Sequence, residues 1–321
     1  MKHAAICIAT YKRQDGLIRL LEALKEQTLP HGWSSEVRVV NNDPEANHGT
    51  FTAMLLSVDP DARISFEPRR NIAHARNTAL AMGRADAFVF IDDDEIPTAG
   101  WLECLLKRLH DADAVFGPVV GRVVQDTPGW LVRSGAFDKP GPNHDGPIDW
   151  RGTRTSSTAV RGEWIGRGTR FFDPEYGTSG GSDTEFFRRI ESQGARFVHE
   201  RGALVYEDSE PERCRWKAVV LRRFRAGAVY GRMEQDIGNL ARWWRLVTRT
   251  GAASARLVAA LPVALAARPE HAFNALCRFA IAYGAWRGHD SSYRVTRYPA
   301  KSPTGSPKST ATGGLPCVSP C

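Results

Sequence analysis

Over residues 1–124, short apolar runs alternate with helix-period segments, and each apolar run halts at a polar cluster. Ala4 to Ala9 halts at Thr10-Tyr11, Val37 to Val40 at Asn41-Asn42-Asp43, and Ala87 to Ile91 at Asp92-Asp93-Asp94-Glu95, with Ile64 to Phe66 as a weaker run between them. Between the first two, Leu17, Leu20, Leu21 and Leu24 recur at i, i+3, i+4 and i+7, which predicts a helix that Asp15 can cap. A helix from about Ile72 should stop at Gly83, and another should cover Trp101 to Leu109 before a strand over Ala114 to Val124. Continuous apolar strands between helices are the pattern of a largely parallel sheet covered on both faces. In such a sheet ligands bind beyond the carboxyl ends of the strands, where these polar clusters fall.

The pattern then changes. Residues 125–153 carry Pro128, Pro140, Pro142 and Pro147 with several glycines and read as a long loop. A strand over Thr155 to Arg161, a glycine-rich turn at Gly177 to Gly181, a helix from Asp183 to Gln193 and a strand near Ala203 to Tyr206 follow. Beyond Arg213 the chain reads as helical, and residues 299–321 are too rich in Ser, Thr, Pro, Gly and Lys to be assigned structure. The expected organisation is a catalytic region over 1–212 (halves 1–124 and 125–212), a helical region over 213–298 and a disordered tail.

The net charge of +7 over 321 residues hides a split. From Arg213 to the end there are 18 Lys+Arg against 4 Asp+Glu, so the first two-thirds are acidic. No run approaches the roughly 18–20 apolar residues of a membrane span, and the short run after Met1-Lys2-His3 is below a signal peptide's apolar length. Six scattered cysteines predict a reduced, cytoplasmic protein.

Four consecutive acids after the most apolar strand repel one another unless a cation neutralises them. Hard oxygen donors suit Mg2+ or Mn2+, which commonly join a carboxylate to substrate phosphates. The chain lacks a Gly-x-Gly-x-x-Gly after its first strand and a Walker A sequence, which disfavours dehydrogenases and P-loop NTPases. Arg69, Arg70 and Arg76 read as the cations nearest the acidic edge.

Five segments in order resemble family 2 glycosyltransferases: Ile6 to Arg13, Val39 to Asp43, Ala75-Arg76-Asn77, Phe90 to Glu95, and Gly180-Gly181-Ser182-Asp183-Thr184-Glu185-Phe186-Phe187. The resemblance covers about residues 4–230. It implies a GT-A fold (an α/β fold with a mainly parallel mixed sheet), a nucleotide-diphospho-sugar donor, an inverting transfer to a glycan or lipid-linked acceptor, and Mn2+ or Mg2+. By motif match Thr10, Tyr11 and Arg13 line the nucleoside pocket, and Arg76 belongs to the donor site. Asn41 stands where relatives usually have a base-contacting Asp; it keeps a carbonyl acceptor and loses the charge, which leaves the base preference open. Asp92 and Asp94 match the Asp-x-Asp pair, with Asp92 and its neighbour Asp93 toward the nucleotide and Asp94 with Asp92 on the metal. Glu207 stands where relatives often carry a metal-binding His. Asp183 matches the general base; without the family it reads first as a helix cap.

In the basic region Arg242, Arg245, Arg249 and Arg256 share one helical sector, opposite Leu240, Trp243, Trp244 and Val247. This predicts either contact with an anionic membrane on its cytoplasmic face or packing on the catalytic region with the arginines turned to water. A nucleic-acid partner is not expected, for want of a recognised motif. A sugar nucleotidyltransferase is the alternative enzyme, disfavoured because Thr10-Tyr11-Lys12-Arg13 is not glycine-rich. A non-catalytic sugar-nucleotide-binding or membrane scaffold protein is the alternative outside enzymes.

Overall fold

A computed structural model describes residues 1–166, 171–234, 239–265 and 268–290, with the side chains of 239–242 and 261–265 excluded. The expected disordered tail, 299–321, lies outside the described residues. The first half alternates as its sequence predicts: β1 (Lys2–Thr10), α1 (Gln14–Lys25), β2 (Trp33–Asn41), α2 (His48–Val58), β3 (Arg63–Phe66), α3 (Ile72–Ala81), β4 (Ala87–Phe90), β5 (Glu95–Pro97) and α4 (Trp101–Arg108). Parallel pairing of β3, β2, β1 and β4 brings Thr10 level with Asn41 and Asn41 level with Phe66. The polar ends of these strands therefore form one edge.

Both faces are covered because β1 alternates between two cores. Ala4, Ile6 and Ile8 pack with the four α1 leucines and with Trp101 and Leu105 of α4. Ala5 and Cys7 pack on the other face with Ala75 and Ala79 of α3 and, further on, Phe186 and Phe187. Asp15 does not cap α1: Arg13 occupies that position without a side-chain cap bond, and Asp15 sits in the first turn.

The expected strand over Ala114 to Val124 is two strands in different sheets, β6 (Ala114–Phe116) and β7 (Val119–Arg122). Gly117-Pro118 separates them; a Cβ at Gly117 would lie 1.8 Å from the Ala203 carbonyl oxygen, an approach only glycine permits. The 125–153 stretch is also more ordered than a loop. It contains α5 (Gly129–Arg133), β8 (Gly146–Ile148) and a single 3-10 turn at Trp150–Gly152, and its Leu131 and Phe137 are buried against Cys214, Val219, Phe273 and Cys277.

Next come β9 (Thr158–Arg161), α6 (Gly162–Gly166), α7 (Ser182–Ser192), β10 (Phe197–His199) and β11 (Val205–Asp208). The main sheet runs β3-β2-β1-β4-β9-β6-β10-β8, with β9 antiparallel to both neighbours. A small second sheet, β5-β11-β7, pairs β5, which starts at Glu95 of the acidic cluster, antiparallel with β11 so that Glu95 lies level with Glu207.

The helical region is α8 (Trp216–Met233), α9 (Asn239–Leu265) and α10 (Pro269–Gly288). Helices α8 and α10 touch backbone to backbone: a Cβ at Gly227 would meet the Ile281 carbonyl oxygen, and one at Gly284 the Phe224 carbonyl oxygen, each at 2.0 Å. Val229 and Met233 of α8 join the core that holds Phe186 and Phe187, so this region is docked on the catalytic half.

Candidate active site

At the end of β4 the four acids separate by burial. Asp92 keeps 41% of its side chain exposed, Asp93 and Asp94 keep 8% and 11%, and Glu95 is fully buried. Glu95 faces inward, accepting from the Asp92 backbone N–H at 3.0 Å and from the Ser156 hydroxyl, and burial beside Asp92 pushes its carboxyl up to about 8. Asp93 is held by the Thr10 hydroxyl at 2.7 Å and by Arg13 at 3.1 Å. Thr10 and Arg13 thus tie the end of β1 to the acidic turn.

Arg13 reaches Asp94 at 2.6 Å, and Arg213 meets the same Asp94 oxygen at 3.1 Å. Burial, with Asp92, Glu207 and Asp93 nearby, nevertheless pushes the Asp94 carboxyl up to about 6 against the pull of Arg13. The expected nearest cations are corrected in part. Arg76 does reach Asp92, at 3.3 Å. Arg69 instead pairs with Glu67 at 2.7 Å, and Arg70 lies over the Tyr11 ring, 4.5 Å from its centroid. Arg13 and Arg213 take the place expected of Arg69 and Arg70.

A cleft of about 660 Å³ opens on this edge, lined among others by Arg13, Asp43, Asp93, Asp94, Asp208 and Glu210. Tyr11 borders Lys12 and Arg70 through ring contacts. Asn41 is buried, its side-chain oxygen accepting from the Asp43 N–H at 2.9 Å, so the acid that lines the cleft after β2 is Asp43. Asn42 binds the Glu67 and Arg69 carbonyls at 2.7 and 2.8 Å and holds the chain after β3 in place.

Glu207 is buried between cations, with one carboxylate oxygen on Lys139 and the other 3.4 Å from Arg213. Burial pushes its carboxyl up, but Lys139, Arg213 and Arg222 together hold it below the ordinary range. Both Glu207 oxygens are thus engaged by cations. Among the described residues no three His, Cys, Asp or Glu side chains converge to form a metal cage. Asp92 Oδ2 and Asp94 Oδ1, in contrast, have no hydrogen bond among the described residues. Two open carboxylate oxygens fit a hard cation whose remaining positions are filled by phosphates.

Asp183 lies in the first turn of α7, part-exposed, its Oδ1 accepting from the Thr184 N–H at 2.8 Å. The helix cap is Gly181, at φ 98°, so Asp183 is not the cap its position suggests. The helix N-terminus favours a negative charge there. Asp183, Glu95 and Glu207 all act electrostatically on Arg154, a cation desolvated by burial that donates to the Gly117 and Lys139 carbonyls. Base candidate and acidic turn thus both act at a distance on one half-buried cation. Arg213, Lys139 and Arg154 escaped the sequence reading because each stands alone, without a motif, far along the chain from the acids it serves.

The sequence profile of glycosyl transferase family 2 matches residues 5–162. The succinoglycan biosynthesis protein ExoM of Rhizobium meliloti (strain 1021) is 32% identical over 235 residues, covering 72% of this chain and 75% of its own. The chain belongs to glycosyltransferase family 2. A second relative, described as the uncharacterized glycosyltransferase YwdF of Bacillus subtilis (strain 168), is 32% identical over 113 residues, which is 35% of this chain and 40% of that protein. Among solved structures, S. aureus TarS superposes with a TM-score of 0.50 at 16% identity, over 75% of this chain. This chain spans 41% of TarS, so that likeness bears on fold alone. The family 2 domain here is of GT-A type, a mixed α/β sheet followed by a helical region, and its membership makes the protein a glycosyltransferase enzyme that takes a nucleotide-sugar donor and a glycan acceptor.

Proposed function

We propose that the protein is an inverting transferase that moves a sugar from a nucleotide-diphospho-sugar to a hydroxyl of a polysaccharide or lipid-linked glycan. The observation that carries this reading is the acidic turn, where Asp94 lines the cleft beside Arg13 and Arg213, Asp92 pairs with Arg76, and each of the two acids keeps one open carboxylate oxygen. The similarity to ExoM, a succinoglycan biosynthesis protein, supports a role in polysaccharide synthesis.

On this reading Tyr11 and Arg70 border the nucleoside, and Asn41 acts through Asp43, whose N–H it fixes, on the base. Thr10 and Arg13 hold Asp93 so that Asp92 and Asp94 present their open oxygens, and Arg76 steadies Asp92. Mn2+ or Mg2+ on Asp92 and Asp94 would supply positive charge to the departing diphosphate. Arg13 and Arg213 supply fixed positive charge to the same edge, as preorganised cations do where negative charge develops. Glu207 positions Lys139 and Arg213 and is not proposed as a ligand. Asp183 accepts the proton of the acceptor hydroxyl as that oxygen attacks the anomeric carbon. One carboxylate base and a neutralised diphosphate suffice, because the leaving group needs no protein acid.

A thermal-shift panel of nucleotide-diphospho-sugars with Mn2+ tests the reading. At least one donor should raise the melting temperature in the wild type and fail to do so in Asp94→Ala; a panel in which none shifts it would contradict the assignment.

A further inference from the structure

Helix α9 turns its apolar face outward. Trp243, Trp244, Val247 and Val258 remain 49%, 70%, 52% and 67% exposed, whereas Leu246 and Ala253, on the other side, are buried at 3% and 5%. At about 100° per residue, Trp243, Val247, Val258, Gly251, Trp244, Ala255, Thr248, Ala259 and Ala252 follow one another around half of the helix. Ser254 is the only other residue of the described side chains in that arc, so it contains no charge, and Arg245, Arg256 and Arg249 border one edge of it. Arg245 and Arg256 are exposed, while Arg249 reaches Glu234 at 3.2 Å. Packing on the catalytic half with only arginines turned to water would have buried Trp244 and Val247, and the structure does the reverse. The side chains of Leu240 and Arg242 lie outside the described ones.

We infer that α9 lies flat on an anionic lipid surface, with Trp244, Val247 and Val258 in the interface and Arg245 and Arg256 reaching its phosphates. Charge decides for lipid as the occupant. Among the described side chains the only charges of α9 that border the arc are arginines, along one edge, and the helix belongs to a region with 18 Lys+Arg against 4 Asp+Glu, which an anionic surface attracts over the length of a Debye layer. Paired tryptophans on an uncharged face suit the boundary between headgroups and acyl chains. Among the described residues no helix is long and apolar enough to cross a membrane, so the contact is peripheral. It would hold the enzyme against a surface that carries lipid-linked glycans, and it stands whether or not the catalytic assignments above are correct.

The test is flotation of the intact protein with vesicles of phosphatidylcholine alone and of phosphatidylcholine mixed with phosphatidylglycerol. The wild type should float with the mixed vesicles only, and the bound fraction should fall as salt rises. Replacing Arg245 and Arg256 by Gln should lower partitioning about fivefold per arginine. The pair Trp244→Ser, Val247→Ser should abolish flotation, and Trp244→Phe should retain it. Lipids brominated in the acyl chain should quench tryptophan fluorescence of the wild type, which keeps the test decisive if a variant fails to fold. Absence of wild-type flotation overturns the inference. So does a wild-type dimer, seen by light scattering, that the Trp244→Ser, Val247→Ser pair converts to monomer without any loss of flotation, since the arc would then be covered by a second copy.

Discussion

The Arg13 guanidinium lies 2.6 Å from the Asp94 carboxylate, joining the end of the first strand to the acidic turn after the fourth. The same guanidinium reaches Asp93, and its Nε reaches Glu210 at 3.2 Å, so three acids from two parts of the chain converge on one cation. Removing it leaves Asp93 and Asp94 buried with less compensation. Arg13→Leu should therefore lower the unfolding free energy by about 1–3 kcal/mol, less than for a fully buried pair because Arg13 is part-exposed. Urea titration with an unchanged m-value checks this, and a wild-type midpoint would mean that Arg213 alone suffices.

Metal and nucleotide should bind together. Two open oxygens make a weak site until phosphates complete it, so calorimetry should find Mn2+ binding on the order of tenfold tighter with a nucleoside diphosphate present. Asp94→Ala should remove the gain, whereas Glu207→Gln should keep it, since both Glu207 oxygens already serve Lys139 and Arg213. A loss in Glu207→Gln equal to that in Asp94→Ala would restore Glu207 as a ligand.

Gly16 sets how closely α1 approaches the acidic turn. A Cβ there would lie 2.6 Å from the Asp93 carbonyl oxygen, and relief requires either α1 or the turn to move. Gly16→Ala should cost about 1–3 kcal/mol and weaken donor binding with it. Gly49→Ala in α2, where the new Cβ would sit 3.5 Å from Asn47 Oδ1, is the control and should do neither.

His199 should leave a mark on the pH dependence of stability. The ring is 1% exposed in β10, and burial lowers its pKa from the ordinary 6.5. The unfolded chain therefore binds a proton below pH 6.5 that the folded chain resists. The contribution to stability is present above that pH and is lost as pH falls toward the folded value. His199→Phe should flatten the slope of melting temperature between pH 7 and pH 5; an unchanged slope would assign it to other groups.

The parallel half of the fold and its acidic edge could be read from the chain because each depends on local pattern. Ala4 to Ala9 and Ala87 to Ile91 are apolar on both faces, and Leu17 to Leu24 keep one helical stripe. What escaped depends on distant contacts. The break at Gly117-Pro118 follows from the approach of Ala203, and β10 is only three residues long. Helix α2, His48–Val58, buries just Phe51 and Leu55 and shows no stripe. Arg213 reaches Asp94 across 119 positions, a pairing no motif announces. The outward turn of Trp244 likewise follows from Leu246 and Ala253 taking the inner face of α9, a choice the helical period alone leaves open.

The most direct test of the central claim is the rate of acceptor glycosylation by Asp183→Asn, measured beside donor affinity on the same protein. Loss of the base should slow transfer about 100- to 10,000-fold while donor binding stays within about twofold of wild type. Transfer at the wild-type rate, or weakened donor binding with normal turnover, would contradict the role of Asp183 and the mechanism built on it.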